Sequence, residues 1–266
     1  MISSTPMHAI DAISVGKGVC RGFAALVLAF AGLAQAQSAP ASPPSNLAVT
    51  VLPLANSNAA DDAFADGLSD ELGGVLAKIP ELHVSGRASA FRFKAQPQDV
   101  HAVADALKVS HAVEGSVVRI GSRIRLSLKL VGTDGAQLWT KDYDGAFANI
   151  FEMEEDAAKS IAASLHVAES REPLIKSRTS DMEAYEAYLR AKPLIRARGQ
   201  KPFADAAELL QKAVARDPDF APASALLAFD YDLAPLYQLS IRNSQVAEAK
   251  QFVNSVIPKA ESLAQH

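Results

Sequence analysis

At 266 residues, with 49% hydrophobic and 21% charged side chains, the chain has the apolar content for one or two packed domains and too much for a disordered segment. Its 30 acidic against 26 basic side chains leave a net charge of -4, so no bulk attraction to nucleic acid is expected and any basic site must be local.

Residues 1–36 read as a secretory signal peptide. Lys17 and Arg21 precede an apolar run from Gly22 to Leu33, and Ala34-Gln35-Ala36 places small residues where signal peptidase cuts. The run, about a dozen residues, falls short of the roughly 20 that span a bilayer as a helix. Cleavage before Gln37 and a periplasmic location are expected, with an uncleaved inner-membrane anchor as the alternative. Cys20 precedes the run instead of following it, which argues against a lipid anchor. Cleavage would leave neither a thiol nor a disulfide. Residues 37–46, small, polar and proline-rich, read as a flexible linker.

The folded part is expected from Leu47. Leu47 to Leu54 is a nearly continuous apolar run, as in a buried strand, and Pro53 marks its end. Asp61 or Asp62 caps a helix through Phe64, Leu68, Leu72, Val75, Leu76 and Ile79, stopped by Pro80. A brief strand at Leu82 to Ser85 and a second helix from Asp99 complete a βαβα opening. His111 to Ile120 and Arg123 to Val131 form a hairpin through Gly121-Ser122, and Asp134-Gly135 turns the chain into a strand from Gln137 to Tyr143.

In the middle strand Ile124, Leu126, Leu128 and Leu130 alternate with Arg123, Arg125, Ser127 and Lys129, so helices should cover mainly one face of this meander. A third helix is expected over Ile150 to Leu165. Its acidic start, Glu152, Glu154, Glu155 and Asp156, reads as a solvated helix end suited to the dipole; calcium-loop spacing is missing. The α/β domain thus spans 47–168, and 169–180 reads as a hinge.

Residues 181–266 are expected to be helical only. Phe203 to Pro218, with Ala206, Leu210 and Ala213, matches the second helix and closing proline of a tetratricopeptide repeat; Met182 to about Ile195 is its first helix. Ala221 onward, with Leu227 and Tyr231, begins a second repeat whose partner helix runs from Ser244 to Leu263. Fewer than three repeats rarely stand alone, so the pair either belongs to a longer array or packs against the first domain.

Phe64-Ala65-Asp66-Gly67-Leu68, Phe91-Arg92-Phe93-Lys94, Val113-Glu114-Gly115-Ser116-Val117 and Leu138-Trp139-Thr140 follow one another in fixed order. Together they resemble the TolB-like amino-terminal domain that bacteria often place before tetratricopeptide repeats. The resemblance implies an α/β fold with a mixed sheet, β-α-β-α-β-β-β-α, followed by an all-α tetratricopeptide helical hairpin array. It also implies interaction in a signalling context instead of catalysis.

His8, His83, His101, His111, His166 and His266 show no metal-binding spacing, and no nucleophile elbow, Walker loop or dinucleotide fingerprint occurs. No enzyme activity, metal or cofactor is expected. Phe91, Phe93 and Trp139 are read as sealing a core edge, and Gly67 as permitting close packing against a strand.

Arg123, Arg125 and Lys129 project together, and Arg119 and Lys141 are expected to join them. Such aligned cations either meet an acidic partner surface or are merely solvated. On the repeats, Tyr188, Arg190, Ser224 and Asp230 are candidates for a concave surface that holds a peptide segment. The leading expectation is a periplasmic adaptor for a protein partner. The alternative is a sensory module that binds a small ligand between the two domains and signals to a membrane partner.

Overall fold

The first apolar run forms strand β1 (Leu47–Val51) of a computed structural model that describes residues 47–94, 99–168, 172–176 and 179–233. Among these residues five strands make one sheet in the order β2-β1-β3-β4-β5. Strands β2 (Leu82–Val84) and β3 (His111–Ile120) run parallel to β1, whereas β4 (Arg123–Gly132) and β5 (Gln137–Ala146) are antiparallel additions. Parallel neighbours need crossovers. Helix α1 (Asp62–Leu76) supplies the first, and α2 (Arg87–Ala90) with α3 (Val100–Leu107) the second.

The expected mixed sheet is therefore present, with one addition. Arg87 to Phe93, between the expected strand and helix, forms α2 followed by a 3-10 turn at Phe91–Phe93. This turn and α3 cover a small second core of Leu52, Ala90, Val103 and Ala112, against which Phe91 and Phe93 pack. Asp99 caps α3 as expected, accepting from the His101 N–H at 3.0 Å.

The main core lies on the other face of the sheet. Ile124, Leu126, Leu128 and Leu130 are buried there beneath α1 and α4 (Ile150–Ser164). The start of α4 departs from the solvated end read in the sequence. Glu154 is 1% exposed and its carboxyl accepts from the Tyr185 hydroxyl at 3.0 Å, while Glu155 is buried beside Lys159. Glu154 faces the third layer of the molecule, which the sequence pattern did not place, whereas Glu152 and Asp156 stay exposed as read.

That layer is α5 (Met182–Ala197), lying along α1, then α6 (Gln200–Arg216) along α5, and α7 (Ala221–Leu233) against α6. Asp181 caps α5 by accepting from the Glu183 and Ala184 N–H groups. Gly67 explains how closely α5 docks: a Cβ there would sit 2.1 Å from the Leu189 carbonyl oxygen. The close approach is thus to a helix, not to a strand.

Aromatic rings continue the contact, with Phe151 4.4 Å from Tyr185 and Tyr188 5.2 Å from Phe220, centroid to centroid. One apolar core runs from Val49 through Leu227. Within the stretch read as a hinge, Leu174 and Ile175 are buried in that same core. The expected helix from Ser244 to Leu263, the signal peptide and the linker lie outside the described residues.

Candidate functional site

Strand register decides where the basic residues of the meander go. Arg119 stands opposite Ile124 and Lys141 opposite Leu128, both buried positions, so these two cations lie on the helix-covered face. Arg119 bonds Glu186 of α5 at 2.5 Å, with its guanidinium 4.8 Å from the Phe147 ring centroid; Lys141 bonds Asp156 of α4 at 2.7 Å. The expectation that they join the other three is thereby corrected.

Arg123, Arg125 and Lys129 do share the open face, but each has an acid across the strands. Arg123 and Arg125 both bind Asp144, the latter at 2.6 Å, and Lys129 binds Glu114 at 2.6 Å. The hydrogen bonds from Arg125 and Arg123 hold the Asp144 carboxyl below the usual carboxylate range. Reading β4 alone left these neighbours out.

The helical candidates are not on an exposed surface either. Tyr188 donates to Glu71 at 2.9 Å, and Arg190 binds Asp61 at 2.7 Å and the Ala60 carbonyl at 2.8 Å. Tyr188 fastens α5 to α1, and Arg190 fastens it to the 3-10 turn at Ala59–Asp61 just before α1. Ser224 and Asp230 are each 1% exposed, and their side-chain oxygens have no hydrogen-bond partner among the described residues. Burial pushes the Asp230 carboxyl up to about 7.

Among the concave regions of the described residues, two larger ones are candidate sites. A groove of about 650 Å³ follows the open face, floored by Glu114, Ser116, Ser127 and Lys129 and flanked by Asn56 and Lys94. Its lysines are held, Lys94 by Asp66 at 2.7 Å and Lys129 by Glu114. Gly115 also lines it, and a Cβ there would lie 2.1 Å from the Ser127 carbonyl oxygen.

The second region, about 760 Å³, opens between α2, α5 and α7. Arg87 comes from α2, Lys192 and Arg196 from α5, and Arg198 from the turn after it, while Leu226, Phe229 and Leu233 supply an apolar wall on α7. Asp70 of α1 draws the first three together, with Lys192 Nζ at 2.6 Å, Arg196 Nη2 at 2.7 Å and Arg87 Nε at 3.6 Å. Burial raises the Asp70 pKa, but Lys192 and Arg196 more than offset it and hold the carboxyl below its ordinary value. Glu71 accepts from Lys192 as well as Tyr188.

Arg87 stacks 3.6 Å above the Phe91 ring centroid, and burial, then the charge of Arg196, lowers its guanidinium to about 10. Sequence reasoning missed this constellation. Its one local signal is the i, i+4 pair Lys192 and Arg196, which gains meaning only once α5 is docked on Asp70 and Glu71.

Among the described residues no group of three His, Cys, Asp or Glu side chains could hold a metal ion, and no helix is long and apolar enough to cross a membrane. No family model matches the chain. Over 195 residues, 71% of its length, it is 30% identical to a Rhizobium meliloti (strain 1021) protein named "Putative adenylate cyclase 3", and it spans 33% of that protein.

Solved structures with partial likeness include TolB from Acinetobacter baumannii, at 12% identity and TM-score 0.34 over 45% of this chain and 28% of that one. Lipoprotein GNA1162 from Neisseria meningitidis scores 0.33 at 14% identity, over 38% and 80% of the two chains. A PelC dodecamer from Paraburkholderia phytofirmans scores 0.32 at 15% identity, over 47% and 91%.

Proposed function

We propose that the chain is a non-enzymatic sensory module that takes up a small ligand between its α/β and helical parts and relays occupancy to a separate signalling partner. The observation that carries this reading is the cavity itself, whose walls come from α2 on one side and from α5 and α7 on the other. A ligand there touches both parts at once, so binding energy can bias how α7 sits. The TolB-like and tetratricopeptide-like assignments and export to the periplasm belong to the same proposal. Partial similarity to a protein named as a cyclase supports a signalling context, since the chain accounts for a third of that protein.

A thermal-shift screen of the purified chain against a small-molecule library tests the reading. A saturable rise in Tm with one compound class, lost in Phe229→Ala, is the expected result. No saturable shift from any compound would sink it.

The adaptor reading stands second, supported by the open-face groove and the exposed Val118, Ile120 and Leu138 beside it. There an extended acidic segment of a protein partner would lie across Lys94 and Lys129. Crosslinking in cells followed by capture, with Arg125→Glu alongside, tests it; a specific partner lost in that variant is the expected outcome, and an unchanged capture profile rejects it.

A further inference from the structure

Four cations and two carboxylates meet at the cavity between α2, α5 and α7, and the pairing among them is incomplete. Asp70 and Glu71 are occupied by Lys192, Arg196 and the Tyr188 hydroxyl. Asp66, the next carboxylate along α1, is held by Lys94. Arg87 is left with a 3.6 Å approach to Asp70, and its buried Nε has no hydrogen-bond partner among the described residues. The four cations thus outnumber the two carboxylates by two, and the unmatched charge is costly at the largely buried Arg87, while Arg198 is exposed.

Arg198 adds a second, independent observation. Its backbone sits at φ 54°, ψ 154°, a region that side chains other than glycine avoid, immediately before Gly199 at φ 112°. Glycine at 198 would remove that strain, yet an arginine occupies the position and lines the cavity. On the facing wall Phe229, 51% exposed, and Leu226 present apolar surface with no charge. The volume of about 760 Å³ is within the roughly 300–1,000 Å³ of small-molecule sites.

We propose, building on the sensory reading above, that this cavity binds a phosphate monoester with an aromatic or apolar body, its dianion held by Arg87 and Arg198 and its body laid against Leu226 and Phe229. A phosphate monoester carries close to two negative charges at neutral pH, which matches the local excess. Guanidinium groups offer paired N–H donors to its oxygens. The Phe91 ring fixes the plane of Arg87 and so prepares it for such an ion.

Isothermal titration calorimetry on the full chain in phosphate-free buffer, with phenyl phosphate, inorganic phosphate and benzoate as probes, tests the proposal. Phenyl phosphate is expected to bind saturably, and the other two at least about 10-fold more weakly, because each lacks one half of the recognition. Arg87→Gln should weaken phenyl phosphate by about 10-fold or more. Arg198→Gly should weaken it several-fold while leaving Tm unchanged or higher, so loss of binding there is not loss of fold.

Absence of saturable phenyl phosphate binding, benzoate binding as tight as phenyl phosphate, or full binding by both variants would each overturn the proposal. If phenyl phosphate fails while a screened compound still gives a shift lost in Phe229→Ala, the phosphate assignment falls and the sensory reading survives.

Discussion

Glu154 is a carboxyl sealed between the sheet layer and α5, with the Tyr185 hydroxyl as its donor. Burial, and after it the charge of Glu71, raise its pKa from 4.5 to about 8. The folded state therefore holds a proton that the unfolded chain releases, and this group's contribution to stability declines as pH rises from about 4.5 to about 8. Glu154→Gln keeps an acceptor for Tyr185 without titrating. Its Tm relative to the parent protein should increase across that interval, and melts at half-unit pH steps would check it.

Gly67 tests packing in the same layer. Gly67→Ala puts a methyl group 2.1 Å from backbone, where no side chain can rotate away, and should cost about 3 kcal/mol in chemical denaturation, the upper end for overpacking. The sequence reveals that this glycine permits close approach. It does not reveal that the approaching backbone belongs to Leu189, 122 residues later.

At the scale of elements, strand β4 was legible because its alternation is strict over eight residues, from Arg123 to Leu130. What a single strand cannot disclose is register. Arg119 and Lys141 look like members of a basic stripe until their partners Ile124 and Leu128 put them on the covered face. The difference is measurable. Arg119, pinned between Glu186 and the Phe147 ring, should show a coupling energy with Glu186 of about 1–2 kcal/mol in a double-mutant cycle. Arg125→Ala, on the open face, should leave Tm nearly unchanged, since its pair with Asp144 is bathed in solvent.

The helices show the same limit: Asp99 and Pro218 mark ends in sequence, but the cationic cavity depends on which face of α5 meets α1. Short-range patterning carries no information on that choice. Lys192 and Arg196 are ordinary surface cations by spacing and become site residues by docking.

For the whole molecule, the two parts share one core, so neither is expected to stand without the other. A chain ended at Ser180 bares Phe64, Leu68 and the groove around Gly67, and leaves Glu154 without Tyr185. Such a chain should melt lower and bind a hydrophobic dye that the longer chain ignores. A truncated protein that melts at the same temperature, dye-free, would show two independent folding units instead. Helix α1 is the neighbour along which α5 packs, so the α/β part supports the helical layer directly.

The tight seat of Leu189 on Gly67 has a mechanical meaning. A helix whose backbone is wedged against another backbone cannot slide without losing the whole contact, so α5 acts as an anvil. When something fills the space beside it, the displacement must be taken up by the piece that is not wedged. Helix α7 borders that space without such a backbone wedge among the described residues, so the glycine sets the fixed side and α7 the side left to adjust.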